Sequence, residues 1–363
     1  MNGELVPETT SAYAPGRVEL LGNHTDYNEG VVLGAAINRF IRIAGAKERD
    51  SIRIRSGSFG EVEIDATELR PLTEKRWANH LLGVADELRR LNVPVRGFTA
   101  EVTGNLPISA GLSSSAAVEV AAALFLLKLC SFDLPRLEIA KACQRAEHRY
   151  AGVKSGLLDQ VISLFGQTQH AVFFDSRSEQ IKVFPFPPSL ALVLSDSGVK
   201  RDLASGEYNL RRTETQSAAR AFGVSALRDL KSAEVKQNTR VSESLRRRAL
   251  HVVEENERVW RAVELLQAGD GHGFGELMNA SHESSRRNFE NSTPELDLLV
   301  SMAQGLPGVL GARLTGAGFG GTTITLCEKA TATHVAQQLA ADYVARTGIK
   351  ANVFVCEIAG GAR

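Results

Sequence analysis

The densest group of reactive side chains lies between Ala14 and Asn28, in the run APGRVELLGNHTDYN. A short apolar strand (Val18, Leu20, Leu21) leads into a turn that presents Asn23, His24, Asp26 and Tyr27 together, bracketed by Gly16, Gly22 and Gly30. Asn and Asp beside a His pair donors with acceptors, which suits a ligand carrying several hydroxyls. Arg17 suits a phosphate. Taken alone, the cluster also fits an Asx-rich surface turn. A second run, NLPISAGLSSSAA over 105–117, places small polar residues directly before a strongly apolar helix. The free N–H groups of such a helix's first turn, at its positive dipole end, form an anion site. One serine would serve as an ordinary cap; three in a row, Ser113 to Ser115, exceed that need. A third segment, AEHRYAGVKSGLLDQ over 146–160, sets Asp159 one turn into an otherwise apolar helix. That carboxylate is either a dipole partner or a site residue.

These groups need elements to hold them. Alternating or β-branched runs predict strands over 31–36, 41–44, 51–55, 97–103, 170–175, 190–195, 321–327 and 351–358. Helical periodicity predicts helices over 78–91, 115–129, 137–150, 156–165, 207–222, 242–266 and 334–346. Many strands follow one another without an intervening helix, so the fold class is α+β rather than a doubly wound parallel sheet. The run Phe184-Pro185-Phe186-Pro187-Pro188 removes ladder donors and fixes extended backbone, and marks a crossing between two domains, 1–185 and 186–363. The triplet Arg246-Arg247-Arg248 reads as a solvated helix face.

Composition narrows the function. The chain has 363 residues, 43% hydrophobic and 23% charged, which is globular and excludes disordered, collagen-like and coiled-coil classes. Lys plus Arg is 42 and Asp plus Glu is 42, so the formal charge is zero. Neither non-specific nucleic-acid binding nor attachment to a membrane by a basic face is expected. The four cysteines form no C-x-x-C pair and read as buried small hydrophobes in a reducing compartment. MNGELVPETT carries no signal-peptide pattern, and the apolar run 116–127 is too short to span a bilayer. A cytoplasmic location is expected.

The glycine loops are less specific. No G-x-x-x-x-G-K-[ST] occurs. Gly316, Gly318 and Gly321 satisfy G-x-G-x-x-G, but β-branched residues follow where a dinucleotide fold needs a helix. A tight hairpin, or a backbone loop packed against a ligand or another loop, fits better.

Together, in this order, the segments resemble the motifs of the GHMP small-molecule kinases, and among them the galactokinases. The signature G-R-V-N-L-I-G-E-H-T-D-Y-N resembles Gly16 to Asn28. The phosphate loop P-x-G-x-G-L-S-S-S-A resembles Pro107 to Ala116, and a third motif resembles Leu314 to Gly321. Arg76 to Asn79, Gly156 to Gln160, Ser205 to Tyr208 and Pro294 to Asp297 also look like segments of that family, so the likeness covers most of the chain. It implies a two-domain fold, an N-terminal ribosomal-S5-domain-2-like unit and a C-terminal GHMP α/β-plait unit, with a sugar and ATP bound between them. It implies catalytic roles for Asp159, facing the anomeric hydroxyl as base or electrostatic partner, and for Arg17, stabilising the transferring phosphoryl group. Asn23, His24, Thr25, Asp26, Gly156, Asp159 and Tyr208 look like sugar contacts. Ser109, Ala110, Gly111, Leu112, Ser113, Ser114 and Ser115 would wrap the ATP phosphates, Trp77 would flank the adenine, and Ser56 is a further nucleotide candidate. Ser115 and Glu147 look like Mg²⁺ ligands, oxygen donors that suit a hard ion. A monomer is expected.

Two departures bear on the activity. Asn23 stands where the family carries an acid that faces the sugar near C6. An amide accepts a hydroxyl proton but would not repel a carboxylate, which opens a galacturonate-type substrate beside galactose. Ser109 stands where the family has glycine and narrows the backbone's approach to phosphate. A non-catalytic sugar and ATP sensor, and a kinase for another GHMP substrate, are the other readings of the chain. The intact serine loop, Arg17 and Asp159 disfavour the first; the His24–Tyr27 group and Tyr208 disfavour the second.

Overall fold

The computed structural model describes residues 9–107, 111–199 and 204–363. The chain opens on a long antiparallel hairpin, β1 (Thr10–Leu21) and β2 (Val31–Gly45). The short β3 (Lys47–Glu48), then β4 (Ser51–Ser56), β5 (Gly60–Asp65) and β6 (Gly97–Gly104), extend the sheet on one side of β2 in the order β5-β4-β6-β2. Only β4 and β6 pair in parallel. Around β6, helices α1 (Asn79–Arg90) and α2 (Ser114–Cys130) pack on each other. Helices α3 (Arg136–Ala146) and α4 (Leu158–Phe165) join them, and β7 (His170–Asp175) and β8 (Ile181–Pro185) complete the eight-stranded sheet beyond β2. Helix α2 is apolar round most of its circumference and mostly buried, with Lys128 exposed near its end, as expected for a helix packed into a core.

Between Pro185 and Leu190 the chain leaves this sheet for a second one, four strands in the order β10-β11-β9-β12, all antiparallel. These strands are β9 (Leu190–Asp196), β10 (Val309–Leu314), β11 (Thr322–Glu328) and β12 (Asn352–Cys356). Among the described residues, the α-helices of this half are α5 (Ala204–Phe222), α6 (Ser232–Gln237), α7 (Glu243–Ala268), α8 (Gly271–Ser284), α9 (Pro294–Gln304) and α10 (Ala332–Thr347). No helix of the described residues is long and apolar enough to cross a membrane. The four cysteines are free; Cys143, Cys327 and Cys356 are buried and Cys130 is half-buried.

The α+β class is observed. Several elements differ from expectation. The strands expected over 31–36 and 41–44 are one, because Ile37 is buried and Asn38 and Arg39 continue the same pleat. α8, with three glycines in its first five residues, and β10, with an arginine as its next-to-last residue, lack the periodicity that would mark them. The arginine triplet is not a solvated face. Arg248 is buried and pairs with Glu214 and Glu290, and Arg247 pairs with Glu290. Two acids from separate segments turn a run of like charge into a cross-link.

Candidate active site

The site is a cavity of about 550 Å³ with Arg17, Asp26, Ser113–Ser115, Glu147, Asp159 and Tyr208 among its lining residues. Arg17 comes from β1 and Asp159 from the first turn of α4. Arg17 Nε donates to Asp159 Oδ1 at 2.8 Å, and its NH2 lies 2.7 Å from the same oxygen. Its NH1 donates to the Gly111 carbonyl at 2.8 Å, and its backbone N–H to that of Leu112 at 3.2 Å. The other carboxylate oxygen of Asp159 accepts the Ser113 hydroxyl at 2.5 Å. One cation and one carboxylate thus tie the glycine–serine loop, the first strand and α4 into a single constellation. Ser113, before α2, makes no capping bond and has a left-handed backbone (φ 56°). The capping alternative is therefore set aside for this serine. Ser114 and Ser115 line the cavity at the positive end of α2. Ser109 and Ala110 lie outside the described residues.

The third glycine loop completes this corner. It joins β10 to β11 as a hairpin and packs against the other two loops, so no helix follows it. Gly316 has φ +72°, and a Cβ there would lie 2.8 Å from the Gly111 carbonyl, so only glycine allows the approach.

The turn after β1 is held from behind by α7. Glu255 Oε2 accepts the backbone N–H groups of Gly22 and Asn23 at 3.0 and 2.9 Å, and His251 Nε2 lies 3.2 Å from the Asn23 carbonyl. Burial opposes the charge on Glu255, but Arg258 and Arg313 hold its carboxyl well below the usual range. His24 also has both nitrogens engaged. Nε2 donates to the Ala317 carbonyl (3.0 Å), so Nδ1 accepts the Tyr27 hydroxyl (2.8 Å). Burial lowers its pKa to about 4, and its ring packs against Phe289 and Tyr208.

Asn23 is buried with its amide saturated. Nδ2 donates to Glu19 Oε1 (2.9 Å) and to the Gly316 carbonyl (2.8 Å), while Oδ1 accepts from Asn291 Nδ2 (2.9 Å). The Thr25 hydroxyl is wholly buried against the carbonyls of Gly22 and Val31. It holds the turn's shape and does not line the cavity. Asp26 does line it, and burial followed by the charges of Asp159 and Glu19 pushes its carboxyl up to about 6. A Cβ on Gly156 would lie 1.8 Å from Asp26 Oδ2, so the glycine makes room for that carboxylate.

Trp77 lines the outer cavity and stacks on Phe59 at 5.9 Å between ring centroids. Ser56 is buried at the end of β4 and is not among the cavity's lining residues. Glu147 takes the Ser155 hydroxyl and makes no ion pair with Lys or Arg among the described residues. Burial and the nearby Glu119 push its carboxyl up to about 8. Ser115 and Glu147 thus offer one cavity two oxygen donors, one an uncompensated carboxylate, which fits a small hard dication.

Sequence reasoning missed Glu255, His251, Asn291, Arg313 and the buried Glu119, which bonds His80 Nδ1 (2.9 Å) and Gln160 Nε2 (3.1 Å). A signal existed for two of them. His251 and Glu255 stand four residues apart on α7 among Val252, Val253 and Val259, polar groups on a buried face.

Comparison with known proteins agrees with this layout. Residues 79–167 match the GHMP kinases N terminal domain, 262–345 the GHMP kinases C terminal domain, and 3–47 the galactokinase galactose-binding signature. A galactokinase of Pasteurella multocida (strain Pm70) is 41% identical over 362 residues, covering 97% of this chain and 94% of that protein. The chain belongs to the galactokinase family of GHMP kinases. A Roseiflexus galactokinase is 39% identical over 96% of this chain and 91% of its own length. The crystal structure of Lactococcus lactis galactokinase complexed with galactose superposes with a TM-score of 0.94 at 33% identity, over 98% and 95% of the two chains. A mevalonate kinase at 19% identity and TM-score 0.69 shares the GHMP fold alone. The galactokinase-family chain thus carries both GHMP domains and the sugar signature on one cavity.

Proposed function

We infer that this chain is an ATP-dependent sugar 1-kinase that converts galactose and ATP to galactose 1-phosphate and ADP. The Arg17–Asp159–Ser113 constellation beside the first turn of α2 carries the reading. Asp159 Oδ2 keeps a lone pair beyond the Ser113 bond and receives the anomeric hydroxyl of the sugar. The anomeric oxygen bonds to the γ-phosphorus of ATP, the bond from γ-phosphorus to the β,γ-bridging oxygen breaks, and the hydroxyl proton passes to Asp159. Arg17 neutralises charge on the phosphoryl group in transit, and the N–H groups at the α2 terminus with Ser113–Ser115 hold the phosphates. Such chemistry needs placement and charge stabilisation more than covalent help.

Ser115 and Glu147 would hold Mg²⁺, which neutralises phosphate charge when bound. Asp26 and Tyr208 contact the sugar from the cavity wall. Asn23, His24 and Gly156 line the same wall, and Thr25 holds the turn that carries Asp26. Trp77 flanks the adenine. The test is ADP release from Mg·ATP over galactose, galacturonate, N-acetylgalactosamine, glucose and arabinose, with D159N alongside. Galactose turnover that D159N lowers by about three orders of magnitude, with nucleotide binding retained, is the expected result. Turnover within tenfold of the unmodified protein overturns the role of Asp159. Silence on all sugars, with sugar and ATP still binding, overturns the kinase.

A further inference from the structure

We infer that Glu19 is the carboxylate that selects the sugar in this cavity, with Asn23 holding it in place: the acid and amide of the family signature are both present with their positions exchanged. The inference rests on the galactokinase reading above. In the signature, the amide stands at the fourth position and the acid at the eighth; here Glu19 fills the fourth and Asn23 the eighth.

The geometry shows why the acid had to stay. Asn23 also lines the cavity, but both Nδ2 protons go to Glu19 and Gly316, and its Oδ1 receives Asn291 Nδ2 and, at 3.5 Å, the Ser285 hydroxyl. Glu19 differs. Its bonds to described residues, from Asn23 Nδ2 at 2.9 Å and Arg313 NH2 at 3.0 Å, both arrive at Oε1. Oε2 has two lone pairs, and Glu19 is among the residues lining the cavity. Its charge reaches the cavity wall, where it adds to the upward push on Asp26. Burial pushes the Glu19 carboxyl up, and the cations of Arg313, wholly buried 3.0 Å from Oε1, and of Arg17 oppose that push.

The register of β1 sets the distance. Arg17, Val18 and Glu19 pair in unbroken sequence with Ala36, Ala35 and Gly34, so Arg17 and Glu19 share one face of the strand. Two strand residues span roughly 6–7 Å, about one pyranose ring. With the anomeric hydroxyl at Arg17 and Asp159, Glu19 lies towards the opposite end of the ring. An acceptor-only carboxylate accepts a hydrogen bond from a hydroxymethyl group and has no hydrogen to donate to a second carboxylate. The selected class is therefore a neutral hexose, and a uronic acid is rejected. Asn23 alone would have admitted the acid.

The experiment compares the unmodified protein with E19Q, E19N, N23E and the exchanged pair E19N/N23E, reading KM for galactose, KM for ATP and the galacturonate-to-galactose ratio. E19Q is expected to raise KM for galactose about 10- to 100-fold, the effect of one charge-assisted hydrogen bond, leaving KM for ATP within about twofold. The galacturonate ratio is expected to rise with it. E19N/N23E is expected to recover about tenfold of the kcat/KM lost in each single variant, since the pair again holds one acid and one amide. An unchanged galactose KM and galacturonate ratio in E19Q overturns the inference. So does an exchanged pair no better than its worse parent, which also decides the matter should E19Q not fold beside the stranded Arg313. Absence of galactose turnover in the unmodified protein overturns the functional reading itself, a result distinct from turnover that is indifferent to Glu19.

Discussion

Ser113 gives its hydroxyl to Asp159 at 2.5 Å instead of to the first turn of α2, the helix it precedes. The two residues are 46 positions apart, and the bond fixes one carboxylate oxygen while Arg17 fixes the other. A serine released from capping duty is available to the site. Replacing it should therefore separate function from stability. S113A is expected to lower kcat about 10- to 100-fold, the effect of one hydrogen bond to a charged group. Its unfolding midpoint should move little, because no cap is lost. A large fall in thermal stability with kcat intact would mean that the bond serves the fold and not the reaction.

Gly156 makes a second separation. Its lack of a side chain leaves room for the Asp26 carboxylate, and an added methyl would lie 1.8 Å from Oδ2. G156A should push Asp26 aside and raise KM for the sugar about tenfold, equivalent to about 1.4 kcal/mol. KM for ATP should hold, since the three atoms nearest an added methyl all belong to Asp26. Steady-state kinetics with each substrate varied in turn distinguishes this from a general loosening of the cavity.

How far the site could be read in advance follows from which contacts are local. Arg17, Asp26, Ser113 and Asp159 each sit in a run whose composition is out of place for a core element, and all four meet in the cavity. Their partners do not announce themselves. Glu255 lies 232 residues from Asn23 in sequence, and Asn291 lies 268 away. On their own helices and loops, these read as ordinary polar residues. Only the packing of α7 behind the β1–β2 turn makes Glu255 the acceptor of two backbone N–H groups. The same holds for Arg313, whose charge within a short apolar run obscured β10, and which is buried where Glu19 and the Leu20 carbonyl receive it.

The two buried histidines behind the turn predict the acid side of the stability profile. Burial lowers His24 from 6.5 to about 4 and His251 from 6.5 to about 3. Both are neutral when folded, whereas the unfolded chain takes up protons below about 6.5. Their contribution is thus fully present above pH 6.5 and is lost as pH falls towards 4 and then 3. For His24 the loss approaches roughly 3 kcal/mol. Denaturant unfolding between pH 7 and 4 should show this decline. H251Q, which keeps an amide towards Ser284 and the Asn23 carbonyl, should flatten it. A profile of equal slope in H251Q would place the acid sensitivity elsewhere.

Asp26 works in the opposite direction. Its carboxyl rises from 3.8 to about 6, first because it is buried and then because Asp159 and Glu19 face it. A raised carboxyl binds its proton more tightly in the folded chain, so its contribution is present below pH 3.8 and lost as pH rises through 6. At neutral pH the charged Asp26 therefore opposes folding, by roughly 3 kcal/mol. A residue that costs stability at working pH persists for what it binds. D26N should raise the unfolding midpoint at pH 7.5 and have no such benefit at pH 4. It should weaken sugar binding at pH 7.5, where an amide offers one uncharged acceptor oxygen in place of a carboxylate's two, and much less at pH 4, where Asp26 is itself protonated. In the unmodified protein, sugar affinity should fall as pH drops through 6, with affinity for ATP following a different profile. Calorimetric titration of galactose at pH 5 and 7.5, beside thermal unfolding of D26N at pH 4 and 7.5, tests both halves. A variant destabilised at pH 7.5 would mean that the Asp26 bonds to the Tyr27 and Leu158 N–H groups outweigh the crowding of three carboxylates.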